Sequence, residues 1–282
     1  MQENKEELNA HIQSAVSGDK QSIETLLTGV QDAIFNLSLR MLGTIPDAED
    51  ATQDILIRIM TNLSTFRFES KFSTWVYRLA SNYLIDYKKS ILARHPLDFD
   101  YYSYDLKASY TENTDELIMG VTKEAMAQEL KLSCTNVMLQ CFDPQTRCIF
   151  ILGAMFKIDS RLAGEILGIT PENYRQKLSR ARKKMAEFLS YHCGLTDTGF
   201  CSCKKRIGYA MQHNRINPRK LEYAHLEHCN ENTLLSCMEH MEALEEMADV
   251  FADLPNYRSP VSAKTILCNL LKSPRMKAIQ DY

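Results

Sequence analysis

The chain has 282 residues and a formal net charge of −3, with 33 Lys and Arg set against 36 Asp and Glu. Apolar residues make up 45%, and only 10 Gly and 8 Pro occur, which fits a folded helical chain and excludes collagen-like or linker-dominated sequence. The near-neutral total excludes a uniformly basic nucleic-acid coat but not local basic faces, so charge must be read by segment.

Taken in chain order, the first residues, Met1-Gln2-Glu3-Asn4-Lys5, show no basic stretch ahead of an apolar one. No apolar run nears the roughly 18–20 residues of a membrane span, so neither a signal peptide nor membrane insertion is expected. Val30, Ile34, Leu37 and Met41 follow helical spacing, and Gly43 ends that helix. Pro46 restarts the chain at a first helical position. The next helix carries Asp47, Glu49, Asp50 and Asp54 early, where carboxylates suit the helix dipole, and Ile55, Leu56, Ile59, Met60 and Leu63 form its buried stripe. A third helix is expected over residues 72–89. It buries Phe72, Val76, Leu79, Ala80, Tyr83 and Tyr87, and turns Trp75, Arg78, Ser81, Asn82, Ile85 and Lys89 to the other side. Residues 66–95 hold six bases and two acids. Aromatics interleaved with bases suit single-stranded nucleic acid, although a lone Trp is more often part of a core.

Residues 95–116 are acidic, Tyr-rich and without helical period, and read as a linker. The expected organisation is a domain over 1–95, an acidic linker over 96–125, a second domain over 126–192 and an extension over 193–282. No alternating pattern persists, so the fold class is all-α. In the second domain Asp143-Pro144 opens a helix. Residues 158–170 follow, with Gly168 as a turn and Thr170-Pro171 as a helix start, which together read as a helix-turn-helix. An ordinary pair of helices is the alternative. Tyr174, Leu178, Ala181, Met185 and Leu189 form the inward stripe of the last helix. Opposite lie Glu172, Asn173, Gln176, Arg180 and Lys183, flanked by Arg175, Lys177, Arg182 and Lys184. An amide-rich start followed by a basic half is what reading a groove and clamping phosphates requires.

Nine cysteines occur, and Cys134, Cys141 and Cys148 sit in apolar helical pattern, which suits a reduced, cytoplasmic protein better than a disulfide framework. Beyond His192, three readings of the thiols stay open: zinc held by Cys193, Cys201, Cys203 and His228, a redox-sensing pair, or unliganded structural cysteines. The C-x-C spacing is tighter than usual for zinc. Helices are expected over residues 218–228, 231–252 and 262–272. Residues 231–253 carry seven acids and no Lys or Arg. That helix either packs as core through Leu234, Met238 and Met241 or masks a basic face.

Several ordered motifs resemble a known family. Gly18-Asp19, Leu42-Gly43, Asp47-Ala48-Glu49-Asp50-Ala51-Thr52-Gln53-Asp54, Phe72-Ser73-Thr74-Trp75-Val76-Tyr77-Arg78-Leu79-Ala80-Ser81-Asn82, Asp86 and Lys88-Lys89 together resemble region 2 of bacterial RNA polymerase sigma factors of the extracytoplasmic-function (ECF) group. The helix-turn-helix, with Leu178-Ser179-Arg180-Ala181-Arg182, resembles their region 4. The resemblance implies that Asp50, Gln53 and Asp54 dock on the clamp helices of core polymerase. It implies that the loop with Arg67, Ser70 and Lys71 captures a flipped minus-10 base, with Trp75, Asn82, Asp86 and Lys89 at the melted strand. It also implies that Glu172, Asn173, Gln176 and Arg180 meet minus-35 bases or adjacent phosphates, and that Arg175, Lys177, Arg182 and Lys183 meet phosphates. The chain departs from the family pattern at Arg161-Leu162, where acids are usual, and at Tyr174, where a small aliphatic residue is usual.

The implied function is promoter-specific transcription initiation with core RNA polymerase and promoter DNA as partners, with no catalytic residue and no required cofactor. Two rivals remain at this point: a helix-turn-helix regulator acting without core polymerase, and a metal-dependent enzyme centred on the Cys/His tail, which lacks a general base. A separate anti-sigma partner and masking by the extension are both left open.

Overall fold

In the computed structural model, which describes residues 2–87, 97–107, 117–118, 120–196, 198–229, 251 and 254–272, helices carry nearly all the order. Helix α1 (Gln2–Val16) leads to α2 (Lys20–Leu42), whose start is capped by the Asp19 carboxylate accepting from the Ser22 N–H at 2.8 Å. Gly43 closes α2 in the left-handed conformation, φ 82°, and its N–H donates to the Leu39 carbonyl. Helix α3 (Ile45–Asn62) starts from a Thr44 cap and buries Ile55, Leu56 and Ile59 as its spacing requires. Helix α4 (Phe72–Ile85) stops at Asp86, short of the expected end at Lys89. Lys89 lies outside the described residues.

The expected linker is not a plain linker. Residues Phe99–Lys107 form α5, and Leu117–Ile118 pairs antiparallel with Val121–Thr122 ahead of α6 (Lys123–Leu139). Aspartates and tyrosines obscure the period of α5, yet Phe99, Tyr102 and Leu106 stand at helical spacing and are buried. The Phe99 ring lies 5.1 Å from both Phe142 and Phe188. Helix α7 (Pro144–Phe150) is capped by Asp143 and continues as a π-turn over Ile151–Met155. The helix-turn-helix follows as α8 (Ser160–Leu167) and α9 (Pro171–His192). Gly168 supplies the turn at φ 66°, and the Thr170 hydroxyl accepts from the Asn173 N–H.

Tyr174 is accommodated by its surroundings. It is buried, its hydroxyl donates to the Ile149 carbonyl at 3.2 Å, and Gly153 faces it. A Cβ at residue 153 would stand 2.6 Å from the Tyr174 Oη and 2.4 Å from Leu178 Cδ2.

One contiguous core runs from Ile12 on α1 through both expected domains to Ile266 near the end of the chain. The half-buried Arg147 guanidinium helps to join the halves. It donates to the Met41 carbonyl at the end of α2 at 2.6 Å, and to the carbonyls of Leu139, Gln140 and Phe142. Burial pulls its pKa down to about 10.

In the extension, α10 (Cys203–Gln212) packs Ile207 and Ala210 against Met126, Ala127 and Leu130 of α6. The helix expected over 218–228 is only a 3-10 turn, Tyr223–His225. The Glu129 carboxylate accepts from the backbone N–H groups of Glu222 and Tyr223, which competes with helical hydrogen bonding there. Helix α11 (Ala263–Leu271) matches its expected position. Apart from Phe251, the expected acidic helix over 231–252 lies outside the described residues. Among the described residues no helix is long and apolar enough to cross a membrane.

Candidate nucleic-acid interface

Two surfaces carry the chemistry. The first is α4 and the loop before it. Phe66 and Phe72 are buried and support Trp75, which stacks on Phe72 with ring centroids 5.9 Å apart and stays half-buried. Arg67, Lys71, Asn82 and Asp86 are exposed around it, and Ser70 is half-buried. Phe68, which sequence reasoning misses, sits in this loop. It is 45% exposed, takes φ 59° and lies 4.8 Å from Phe66. A bulky side chain at positive φ is uncommon, and an aromatic set between Arg67 and Glu69 is the signal the sequence offers for it.

On α3, Asp50 and Gln53 are exposed, as docking would need. Asp54 differs. Its carboxylate is half-buried and accepts from the Tyr83 hydroxyl of α4, while Arg58 lies over the Tyr83 ring at 4.7 Å. Burial, then the hydrogen bond to Asp54, raises the Tyr83 phenol well above its ordinary pKa. Asp54 therefore ties α3 to α4 within the unit.

The second surface is α9. Asn173, Arg180 and Lys183 are exposed. At its start Glu172 pairs with Arg175 at 2.6 Å and accepts from Gln176, and these contacts lower its pKa. Arg175 also donates to the Ser160 hydroxyl at 3.0 Å, so the polar tip of the helix is held as one cluster. Lys177 reaches Gln145 at 3.2 Å. Arg182, expected at a phosphate, turns inward instead: half-buried, it donates to the Gly153 carbonyl at 3.0 Å, because α9 packs that flank on the π-turn. The units that carry the two surfaces meet through α4 and α8. Helix α4 packs on α8, and the Arg78 guanidinium donates to the Glu165 carbonyl at 2.9 Å, with its carboxylate at 3.6 Å.

The expected zinc ligands do not assemble. The thiols of Cys193, Cys201 and Cys203 lie within electrostatic reach of one another and of Cys134 on α6. His228 is elsewhere, bridged to Tyr257 with the rings 5.3 Å apart. Among the described residues no three His, Cys, Asp or Glu groups are placed to hold one metal ion. Burial pushes the Cys134 thiol up to about 12 and the Cys201 thiol up to about 11.

Comparison with known proteins places this geometry. The Sigma-70 region 2 family matches residues 26–92. The ECF RNA polymerase sigma factor SigW of Bacillus subtilis (strain 168) is 30% identical over 188 residues, covering 64% of this chain and 96% of SigW. The ECF RNA polymerase sigma factor SigE of Mycolicibacterium smegmatis is 22% identical over 167 residues, covering 58% of this chain and 60% of SigE. Among solved structures, CnrH in complex with the cytosolic domain of CnrY aligns with a TM-score of 0.46 at 19% identity, covering 64% of this chain and 95% of that one.

Proposed function

The chain belongs to the ECF RNA polymerase sigma factors, and from that premise we propose that its two basic surfaces divide a promoter between them. The protein is an initiation factor that works with core RNA polymerase and promoter DNA. Helix α9 enters the major groove of the minus-35 duplex, with Asn173, Gln176 and Arg180 at base edges and Lys183 on phosphate. Helix α4 and its preceding loop hold the opened minus-10 strand. Trp75 and Phe68 offer ring faces for bases, and Arg67 and Lys71 offer charge for phosphates. Extruding a base costs a few kcal/mol, which stacking and phosphate contacts offset. Asp50 and Gln53 face core polymerase, and the protein works in the bacterial cytoplasm, supplying binding and strand opening rather than a chemical step.

The observation that carries this reading is the pairing of an aromatic-supported basic loop on α4 with an exposed amide-then-basic face on α9 in one chain. Run-off transcription with core polymerase tests it. Specific initiation that is lost in Arg180→Ala/Lys183→Ala is expected. Failure to bind core, together with no specific start site on any promoter library, would overturn it. Duplex binding without core association would favour the helix-turn-helix regulator.

A further inference from the structure

The units that carry the two surfaces touch through α4 and α8, and promoter elements named for positions −35 and −10 do not touch. At 34–36 Å per turn of 10–10.5 base pairs, about 25 base pairs span roughly 85 Å. With α4 packed on α8, no single placement reaches both elements, so the units must part.

The extension is tied to both units, and the tie is short. On the second unit, Tyr223 is held on α6: its N–H donates to Glu129 at 3.0 Å and its hydroxyl accepts from Asn136 at 3.0 Å. On the first unit, a strap over residues 255–263 lies along α2. Asn36 makes two hydrogen bonds with Tyr257, donating to its carbonyl at 2.7 Å and accepting from its N–H at 2.9 Å. Arg40 donates to the Asn256 side chain at 2.9 Å, Asp32 accepts from the Ser259 N–H at 2.8 Å, and Gln31 accepts from the Ala263 N–H at 3.1 Å. The anchors are joined by backbone pairing. The Arg258 N–H donates to Glu227 at 2.7 Å, and the Cys229 N–H donates to Asn256 at 2.8 Å. From Tyr223 to Glu227 the chain advances four residues, at most about 14 Å when fully extended. While the pairing of residues 227–229 with 256–258 holds, a tether of that length cannot follow a separation several times longer. Upstream, Asp105 of α5 is gripped by Arg206, Tyr209 and Arg215 from the extension, which fixes the segment between the units as well.

We propose that the extension is a built-in lock: residues 206–229 and 255–263 clasp α5, α6 and α2 together and hold the two DNA-reading units closed until one anchor is released. This rests on the two-element reading above. Once the strap leaves α2, its backbone groups and the Asn36 side chain pass to water, and the direct contacts between the units, among them Arg147 on the Met41 carbonyl and Arg78 on the Glu165 carbonyl, oppose parting without it.

The full-length chain tests the lock with Asn36→Ala/Asp105→Asn, followed by small-angle scattering, promoter binding and run-off transcription. A closed chain of this length has a radius of gyration of about 19 Å. The double variant should exceed wild type by at least about 5 Å, with unchanged helical dichroism and about tenfold tighter promoter binding. An unchanged radius with intact helical signal would overturn the lock. So would a larger radius with no gain in promoter affinity while run-off transcription is active. If the double variant loses helical signal, Arg215→Ala, altered at a half-exposed position, is held to the same outcomes. Absence of run-off from wild type and variants alike, with the radius still rising, would count against the initiation reading and leave the lock standing.

Discussion

Arg147→Ala should be among the most damaging single substitutions in this protein, although Arg147 faces neither DNA nor polymerase in the reading above. The guanidinium is half-buried and donates to four carbonyls: Met41 at 2.6 Å, Phe142 at 2.8 Å, Leu139 at 3.1 Å and Gln140 at 3.2 Å. Three of these lie at or just after the end of α6 and one in the last turn of α2, where carbonyls run short of helical partners, although Leu139 also accepts from the Phe142 N–H. Each charge-assisted bond contributes about 1.5–3 kcal/mol, and water entering the vacated space recovers part of the loss. Losing four such bonds, less what water recovers, costs about 3–5 kcal/mol. At about 2–4 °C per kcal/mol for a chain of this size, Tm should fall by roughly 6–20 °C. Arg147→Lys, a point charge without the planar fork, should fall between the two. Urea unfolding followed by circular dichroism measures all three proteins. A loss under about 1 kcal/mol for Arg147→Ala would refute the claim that one guanidinium ties α2 to α6 and α7.

Further outcomes follow from the same geometry. Lys183→Ala should weaken promoter binding and reduce the salt slope by about one, whereas Arg182→Ala, whose guanidinium serves the Gly153 carbonyl, should lower stability and leave the slope unchanged; anisotropy titrations across salt concentrations separate them. Trp75→Ala should weaken binding to the opened minus-10 strand by about 1–3 kcal/mol in a single-strand competition assay. His192 is buried beside Phe188, and desolvation, then the charge of Lys107, lowers its pKa. The unfolded chain therefore takes up that proton first, so stability should decline as pH falls below about 6.5, and His192→Gln should flatten urea midpoints compared at pH 7.5 and 5.5. Peptide mapping after brief alkylation at pH 8 should find exposed Cys268 modified well ahead of Cys141 and Cys148, whose thiols burial pushes up to about 12.

The strongly periodic elements are legible in the residues alone. The stripes of α2 and α3, the Gly168 turn and the Thr170 cap all stand where spacing and capping chemistry put them. Helix α5 is not legible in this way, because its burial depends on Phe142 and Phe188, far along the chain. The same holds for side chains whose partners are distant in sequence. Arg182 reads as a surface base until the π-turn brings Gly153 beneath it, and Asp54 reads as a docking acid until α4 brings Tyr83. The strap is written in main-chain groups of residues 255–263, to which side-chain patterns are blind.

The Tyr174–Gly153 pair bears on retargeting. Promoter specificity is naturally altered by grafting the reading helix of one sigma factor onto another. Here the donor and acceptor positions are not independent. A graft that brings a small aliphatic residue to position 174 leaves a void above Gly153 and removes the hydrogen bond to the Ile149 carbonyl, and a host with any larger residue at 153 collides with the Tyr174 hydroxyl and Leu178. The unit that can be exchanged between relatives is therefore the helix together with the turn beneath it, residues 149–185, and not the helix alone.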